Sequence, residues 1–233
     1  MHRDALVRHL LRVIGRLLPV TSISNVSAPR SGAGARLVNL VVDPPAAFRG
    51  IAGDPSWALA FGAAVGIRFG SLFLFYRPAV TPIRVIAGLL FQVMTIGPTV
   101  LLAALIAWLT ARAWHVGVAW PTAVSILMHV YVAFTLATVA FASVAGALLP
   151  QSVDVDLRNP PFTNLTSLLD GTGPEVFRTL VGEMDVRSAY ALVLLWVGLR
   201  GAAPEAPRAA IARIILTIAC LRVAGVVTVS LLR

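Results

Sequence analysis

Residues 182–200 read GEMDVRSAYALVLLWVGLR and set Glu183, Asp185 and Arg187 directly against an apolar run, Ser188 to Leu199, of twelve residues. A bilayer is crossed by about 20 apolar residues in a helix, so this run is short. Extended through Ala203 it reaches sixteen residues, or about 24 Å of helix. On length alone it fits a re-entrant or interfacial segment as well as a span. Whether it crosses decides on which side of a membrane everything after it lies.

Four other stretches are long enough: Trp57–Tyr76, Val85–Leu109, Trp120–Leu149, and Ala210–Leu232 despite its Arg213 and Arg222. Arginine placement then decides the short one. With the N-terminus inside and five spans, inner segments hold eleven arginines, seven of them before Trp57 and the rest at Arg112, Arg200, Arg208 and Arg213. Outer segments hold six, at Arg77, Arg84, Arg158, Arg178, Arg187 and Arg233. The 150–187 loop, outer in this arrangement, carries six acids against three arginines. This is the positive-inside pattern. Were 188–203 not to cross, the bias would shrink to eight against nine. The sequence therefore predicts an all-α, polytopic transmembrane helix bundle. Its five spans fall at about 57–76, 85–109, 120–149, 188–203 and 210–232.

Composition agrees. Of 233 residues, 58% are hydrophobic and only 12% charged, and the mean hydropathy is +0.86. Soluble domains carry about a quarter charged residues, and a chain of this length cannot bury so much apolar surface in one core. The net charge of +9 comes from 19 arginines without a lysine. These flank apolar segments and do not cluster with exposed aromatics, which argues for topology and against nucleic acid. Arginine without lysine, beside abundant Ala, Val and Gly, points to a GC-rich bacterial genome and a cytoplasmic membrane. The single cysteine, Cys220, permits no internal disulfide and reads as an inert buried thiol.

Ahead of the spans, ALVRHLLRVIGRLLPV places Leu6, Leu10, Val13 and Leu17 on one face and Arg8, Arg12 and Arg16 in a stripe opposite. Arg12 and Arg16 interrupt the apolar centre that a signal peptide needs. Residues 1–19 thus read as an amphipathic helix, lying on anionic lipid headgroups or packed on the protein's own inner face. Residues 20–41, rich in Ser, Gly and Ala, read as a linker. DPPAAFRGI then begins an extended stretch or a short helix, with prolines at its start.

Polar residues inside the apolar stretches are the candidate functional groups. Arg68 and Arg222 lie near the middle of the first and last spans, and no span contains an acid. A central arginine costs about 2.5–3.5 kcal/mol to insert, so each needs protein, water or a headgroup. Arg68 stands eight residues below Tyr76, about 12 Å. If the short span sits low, Glu183 and Asp185 are drawn towards Arg68 and Arg222 and neutralise one or both. Otherwise the arginines bond carbonyls or thin the bilayer. His129 completes this candidate polar network as a relay, a ligand or, as its isolation favours, a hydrogen-bonded packing residue. Gly62, Gly66 and Gly70 form one small-residue stripe on the first span, suited to helix packing within the monomer before dimerisation. Arg68 projects about 200° from Gly66, on the other side. Gly97–Pro98 predicts a kink.

No HExxH, GxSxG, P-loop or dinucleotide fingerprint is present. The expectation is a protein without catalytic, cofactor-binding or metal-binding residues.

The C-terminal half carries a resemblance. NPPFTNLTSLL (159–169) followed by EMDVRSAYALVLLWVGLR (183–200) resembles the signature of the Yip family of five-span membrane proteins. Asn164, Leu165, Leu168, Leu169, Asp185, Leu194, Leu195, Gly198 and Leu199 match it, and Pro45, Phe48 and Ile51 resemble that family's approach to its first span. The resemblance covers roughly 42–231. Val186, Arg187, Ser188 and Tyr190 depart from it, where the family usually has a bulky pair after the acid and a Trp before the span. It implies five spans and a cytoplasmic N-terminus. Eukaryotic members are linked to vesicle traffic and prenylated GTPases, a role not carried over to a bacterial-type chain. The sequence thus leads to a membrane scaffold or partner-binding protein, with the bilayer and other membrane proteins as partners. The alternative is a small permease or channel for an anion or small solute.

Overall fold

The structure is a computed structural model, and it describes residues 32–76, 81–148 and 185–231. Among the described residues there are seven α-helices and no strand: α1 (Ala33–Val42), α2 (Pro44–Gly53), α3 (Ala58–Tyr76), α4 (Pro82–Ala113), α5 (Trp120–Leu148), α6 (Val186–Ala202) and α7 (Arg208–Leu231). The last five coincide with the five expected apolar segments to within a few residues. The amphipathic segment 1–19, with Arg8, Arg12 and Arg16, lies outside the described residues. So do Glu183 and the 159–169 part of the resemblance.

One expectation is corrected. The stretch 20–41 does not remain a linker throughout, because α1 occupies 33–42. Leu40 is fully buried and Arg36 nearly so. The guanidinium of Arg36 is bonded to both the carboxylate and the carbonyl of Asp54 at the end of α2. The helix is held by these tertiary partners more than by its own composition, which is why a Ser/Gly/Ala-rich context hid it. α2 follows at once. The Asp43 side chain accepts from the Ala46 N–H at 3.1 Å, and Pro44 supplies the first helical position, where no N–H is required.

α5 is the axis of the bundle, packing against α1, α2, α3, α4 and α6. Directions follow from side-chain contacts. Gly198 late in α6 meets Ile126 early in α5, whereas Arg187 at the start of α6 reaches Thr138; the two helices are antiparallel. Ser125 bonds the Ser56 carbonyl just before α3, and Tyr131 accepts from Arg68 further along it, so α3 and α5 run the same way. Gly88 and Gly97 of α4 meet Phe69 and Phe61 of α3 in reversed order, and short turns reverse α4 into α5 and α6 into α7. The α4–α5 turn closes on Val116 N–H donating to the Ala111 carbonyl (2.8 Å) and His115 N–H to that of Arg112 (3.0 Å). This is the 6→1, 5→2 pattern that needs a left-handed residue, here His115 at φ 55°. The five helices alternate up and down, with the α1–α2 hairpin packed on α5 and α6.

The hairpin docks at two glycines. A Cβ on Gly198 would stand 2.6 Å from Ile126 Cγ2 and 3.1 Å from the Phe48 ring, and one on Gly201 would stand 3.3 Å from the Phe48 backbone. Phe48, Ile51, Leu194 and Leu199 are almost wholly buried around this point.

Outer surfaces differ. Two helices, Pro82–Ala113 and Trp120–Val144, are long and apolar enough to cross a membrane. Only 22% of the most apolar part of the first is buried inside the chain, against 50% for the second. α4 turns Ile83, Ile86, Leu90, Phe91, Met94, Leu102 and Leu109 outward. It runs unbroken through Gly97–Pro98.

Gly198→Ala is expected to lower stability by about 1–3 kcal/mol, the range for an overpacked core. Adding Ile126→Ala, which removes the nearest obstructing methyl, should restore part of the loss. Thermal unfolding in detergent of the single and double variants measures both.

Candidate functional site

Among the described residues, the polar side chains inside the bundle fall into separate clusters along α5 and do not form one network. At the end near Trp120, His129 is buried and its Nδ1–H donates to the Ser125 carbonyl at 2.7 Å. The Ser125 hydroxyl in turn donates to the Ser56 carbonyl at 3.3 Å. α1, which carries Arg36 clamped to Asp54, packs on α5. The cluster ties α1 and the start of α3 to α5.

Further along α5, Arg68 donates through Nη1 to the Tyr131 hydroxyl at 3.4 Å. Both residues are half-buried. Beyond that point Asp185 and Arg187 form an ion pair whose two side chains are each only 4% exposed. Arg187 donates through Nε to Asp185 Oδ2 at 3.0 Å and through Nη1 to Thr138 Oγ1 at 3.4 Å. Its guanidinium also lies over the Phe134 ring, 5.5 Å from the centroid. The second carboxylate oxygen, Asp185 Oδ1, accepts from the Ser188 N–H and so caps α6.

The expected pairing of Asp185 with Arg68 is therefore replaced. Asp185 is already engaged at both oxygens by groups within three residues of it. A local closure of this kind orders far less chain than a bridge between helices. Arg222 lies exposed on α7. Glu183 is outside the described residues.

The glycines are also redistributed. Gly62, Gly66 and Gly70 all face outward, and a Cβ at any of them would meet nothing within 4 Å. The described helices leave that stripe uncovered, and the close approach within the chain is made by Gly198 and Gly201 instead. The signal for these was present in the spacing of two glycines at the end of the short apolar segment. Cys220 is likewise exposed on α7 and not buried in protein; α7 turns an apolar face outward around it, with Leu216, Leu221 and Val223 exposed.

Among the described residues, two buried side-chain oxygens stand without a hydrogen-bond partner, Gln92 Oε1 on α4 and Ser188 Oγ on α6. Among the described residues no group of three or more His, Cys, Asp or Glu is placed to hold a metal ion.

The helix ends near α1 and α2 carry tryptophan and arginine together. Trp108 meets Trp120 edge-on at 5.8 Å, Arg112 lies 4.9 Å over Trp108, and Arg213 lies 5.1 Å over Trp114. Trp57 packs on Phe61 beside them in the chain's path, and Arg200 donates to the Ala206 carbonyl at 2.9 Å.

No protein-family model matches this chain, and neither a curated protein nor a solved structure is significantly similar to it.

Removing one partner of the buried pair, in Asp185→Ala or Arg187→Ala, should cost about 3–5 kcal/mol, because the other charge is left uncompensated. Exchanging Arg68 with Asp185 should give no rescue over the single variants. Folded yield and melting temperature of the purified variants check both; recovery in the exchange would restore the inter-helix pair.

Proposed function

We propose that this chain is a five-span membrane protein of the Yip type, with its N-terminus in the cytoplasm of a bacterium, and that it acts by binding other membrane proteins and lipid without catalysing a reaction. The observation that carries the membrane reading is the bare apolar face of α4. A core helix of a soluble protein would be covered, and exposed apolar patches on soluble monomers rarely exceed a few hundred Å². Here a 32-residue apolar helix is largely uncovered, which hydrocarbon solvates at no cost.

Support for five crossings comes from the alternation of α3 to α7. α6, at 17 residues, is about 26 Å long, and reaches across a locally thin bilayer with its capped Asp185 end at one surface. The Trp and Arg pairs gathered at the opposite end fit an inner membrane interface, where amphipathic rings and guanidinium groups sit at headgroup level. Support for the Yip resemblance comes from position. Phe48 and Ile51, from its first part, are buried with Leu194 and Leu199, from its second, and Phe48 abuts Gly198. Binding in place of catalysis is favoured by the way Ser125, Tyr131 and Thr138 are spent on tying α5 to its neighbours.

Reporters fused before His2 and after Arg233 should lie on opposite sides of the membrane; the same side for both would remove the odd number of spans and the family reading with it. Purification in mild detergent should bring down a stoichiometric membrane partner. Proteoliposomes should be no leakier to anions than empty vesicles, and a leak abolished by Arg68→Ala would replace binding with transport.

A further inference from the structure

Among the described residues, Arg68 has one hydrogen-bond partner, a neutral hydroxyl, and no carboxylate within ion-pairing distance. Tyr131 accepts that bond, which leaves its own O–H without an acceptor among the described residues. Two donor groups thus meet at one place with no anionic acceptor among the described residues. Water solves this at a protein surface. Eight residues from the end of an apolar helix it is a costly arrangement, and a cation there wants a counter-charge.

α3 and α6 both pack on α5 but make no extensive contact with each other. The gap between them has α5 as its floor. Tyr131 and Thr138 are seven residues apart, so they fall within about 20° of each other around α5 and about 10.5 Å along it. Arg68, bonded to Tyr131, and Arg187, bonded to Thr138, therefore border the same gap from α3 and from α6. Asp185 neutralises Arg187, while Arg68 keeps its charge. The described charges around the gap are two positive and one negative. α6 begins only at the level of Thr138, so among the described residues the gap has no second wall beyond that point. At its other end the α1–α2 hairpin fills the space against α5 and α6. Among the described residues, the space between α3 and α6 thus holds a guanidinium that no carboxylate pairs with.

We propose that Arg68 and Tyr131 bind an oxyanion, a phosphate or carboxylate group, in the gap between α3 and α6. Guanidinium N–H groups and the phenol O–H converge on its oxygens, the charge-assisted geometry that makes arginine the usual partner of such groups. The group comes either from a phospholipid headgroup or from a free anion. The site stands on the packing of α3, α5 and α6 and holds whatever partner the protein has.

The test uses the full chain in a neutral detergent, with native mass spectrometry for added phosphatidylglycerol and thermal unfolding for inorganic phosphate. Phosphatidylglycerol retained over phosphatidylcholine identifies a headgroup site; stabilisation by millimolar phosphate alone identifies a free anion. In either case Arg68→Gln should weaken binding about tenfold or more, and Tyr131→Phe about two- to tenfold. Arg222→Gln, on the exposed face of α7, should leave it unchanged. Tyr131→Phe removes one oxygen and keeps the ring, so it reports even if Arg68→Gln does not fold. Equal affinity of the wild type and Tyr131→Phe for both probes, or no binding of either, overturns the site.

Discussion

The bundle depends on three chain segments sharing a space that has room for no side chain. At Gly198 the Ile126 methyl and the Phe48 ring occupy the place where a Cβ would stand. α5, α6 and the α1–α2 hairpin are positioned by that one approach. Lipid tails are as apolar as leucine, so helices within a bilayer gain little from burying leucine against each other and hold together by close packing. Phe48 differs, since it lies on a hairpin outside the long apolar helices. Its burial is worth about 1.5–3 kcal/mol by removal from water. A packing contact between two helices and a hydrophobic contact with a third element thus coincide at one glycine.

Polar groups follow a related economy. The clusters along α5 join that helix to its neighbours: Ser125 to the approach of α3, Tyr131 to α3 itself, and Thr138 to α6. In hydrocarbon a hydrogen bond between helices has no water to compete with it, although measured values stay modest because the separated helices find substitutes. Placing the links on one central helix lets each fix a register without any of them being strong. Asp185 is the exception in strength, since it pairs with Arg187 and caps α6 at once.

Long apolar segments were legible because length and hydropathy are local properties, and all five reappear as helices. The short helix α1 was not, because its stability comes from Asp54 and from the packing of Leu40, both set by the fold. The partner of Asp185 was misplaced for the opposite reason: a bond to the second residue along needs a local conformation that spacing alone does not reveal. Gly62, Gly66 and Gly70 stand at a familiar interval and meet nothing, whereas Gly198 and Gly201 stand three apart and carry the closest contacts. Pattern shows which face could be smooth; only the positions of other helices show which smooth face is used. Arg68 was singled out by its cost, but its neighbour Tyr131, 63 residues away, lay beyond any local signal.

The meeting of Phe48 with Gly198 also sets an order of events during biosynthesis. The aromatic ring leaves the ribosome 150 residues before the notch that receives it. At about 5–20 residues per second, the nascent polypeptide waits roughly 8–30 s with that ring lacking its final seat. Until then it must shelter elsewhere, on lipid, on the partly assembled α5 or on a chaperone. Completion of the last third of translation is therefore what locks the first.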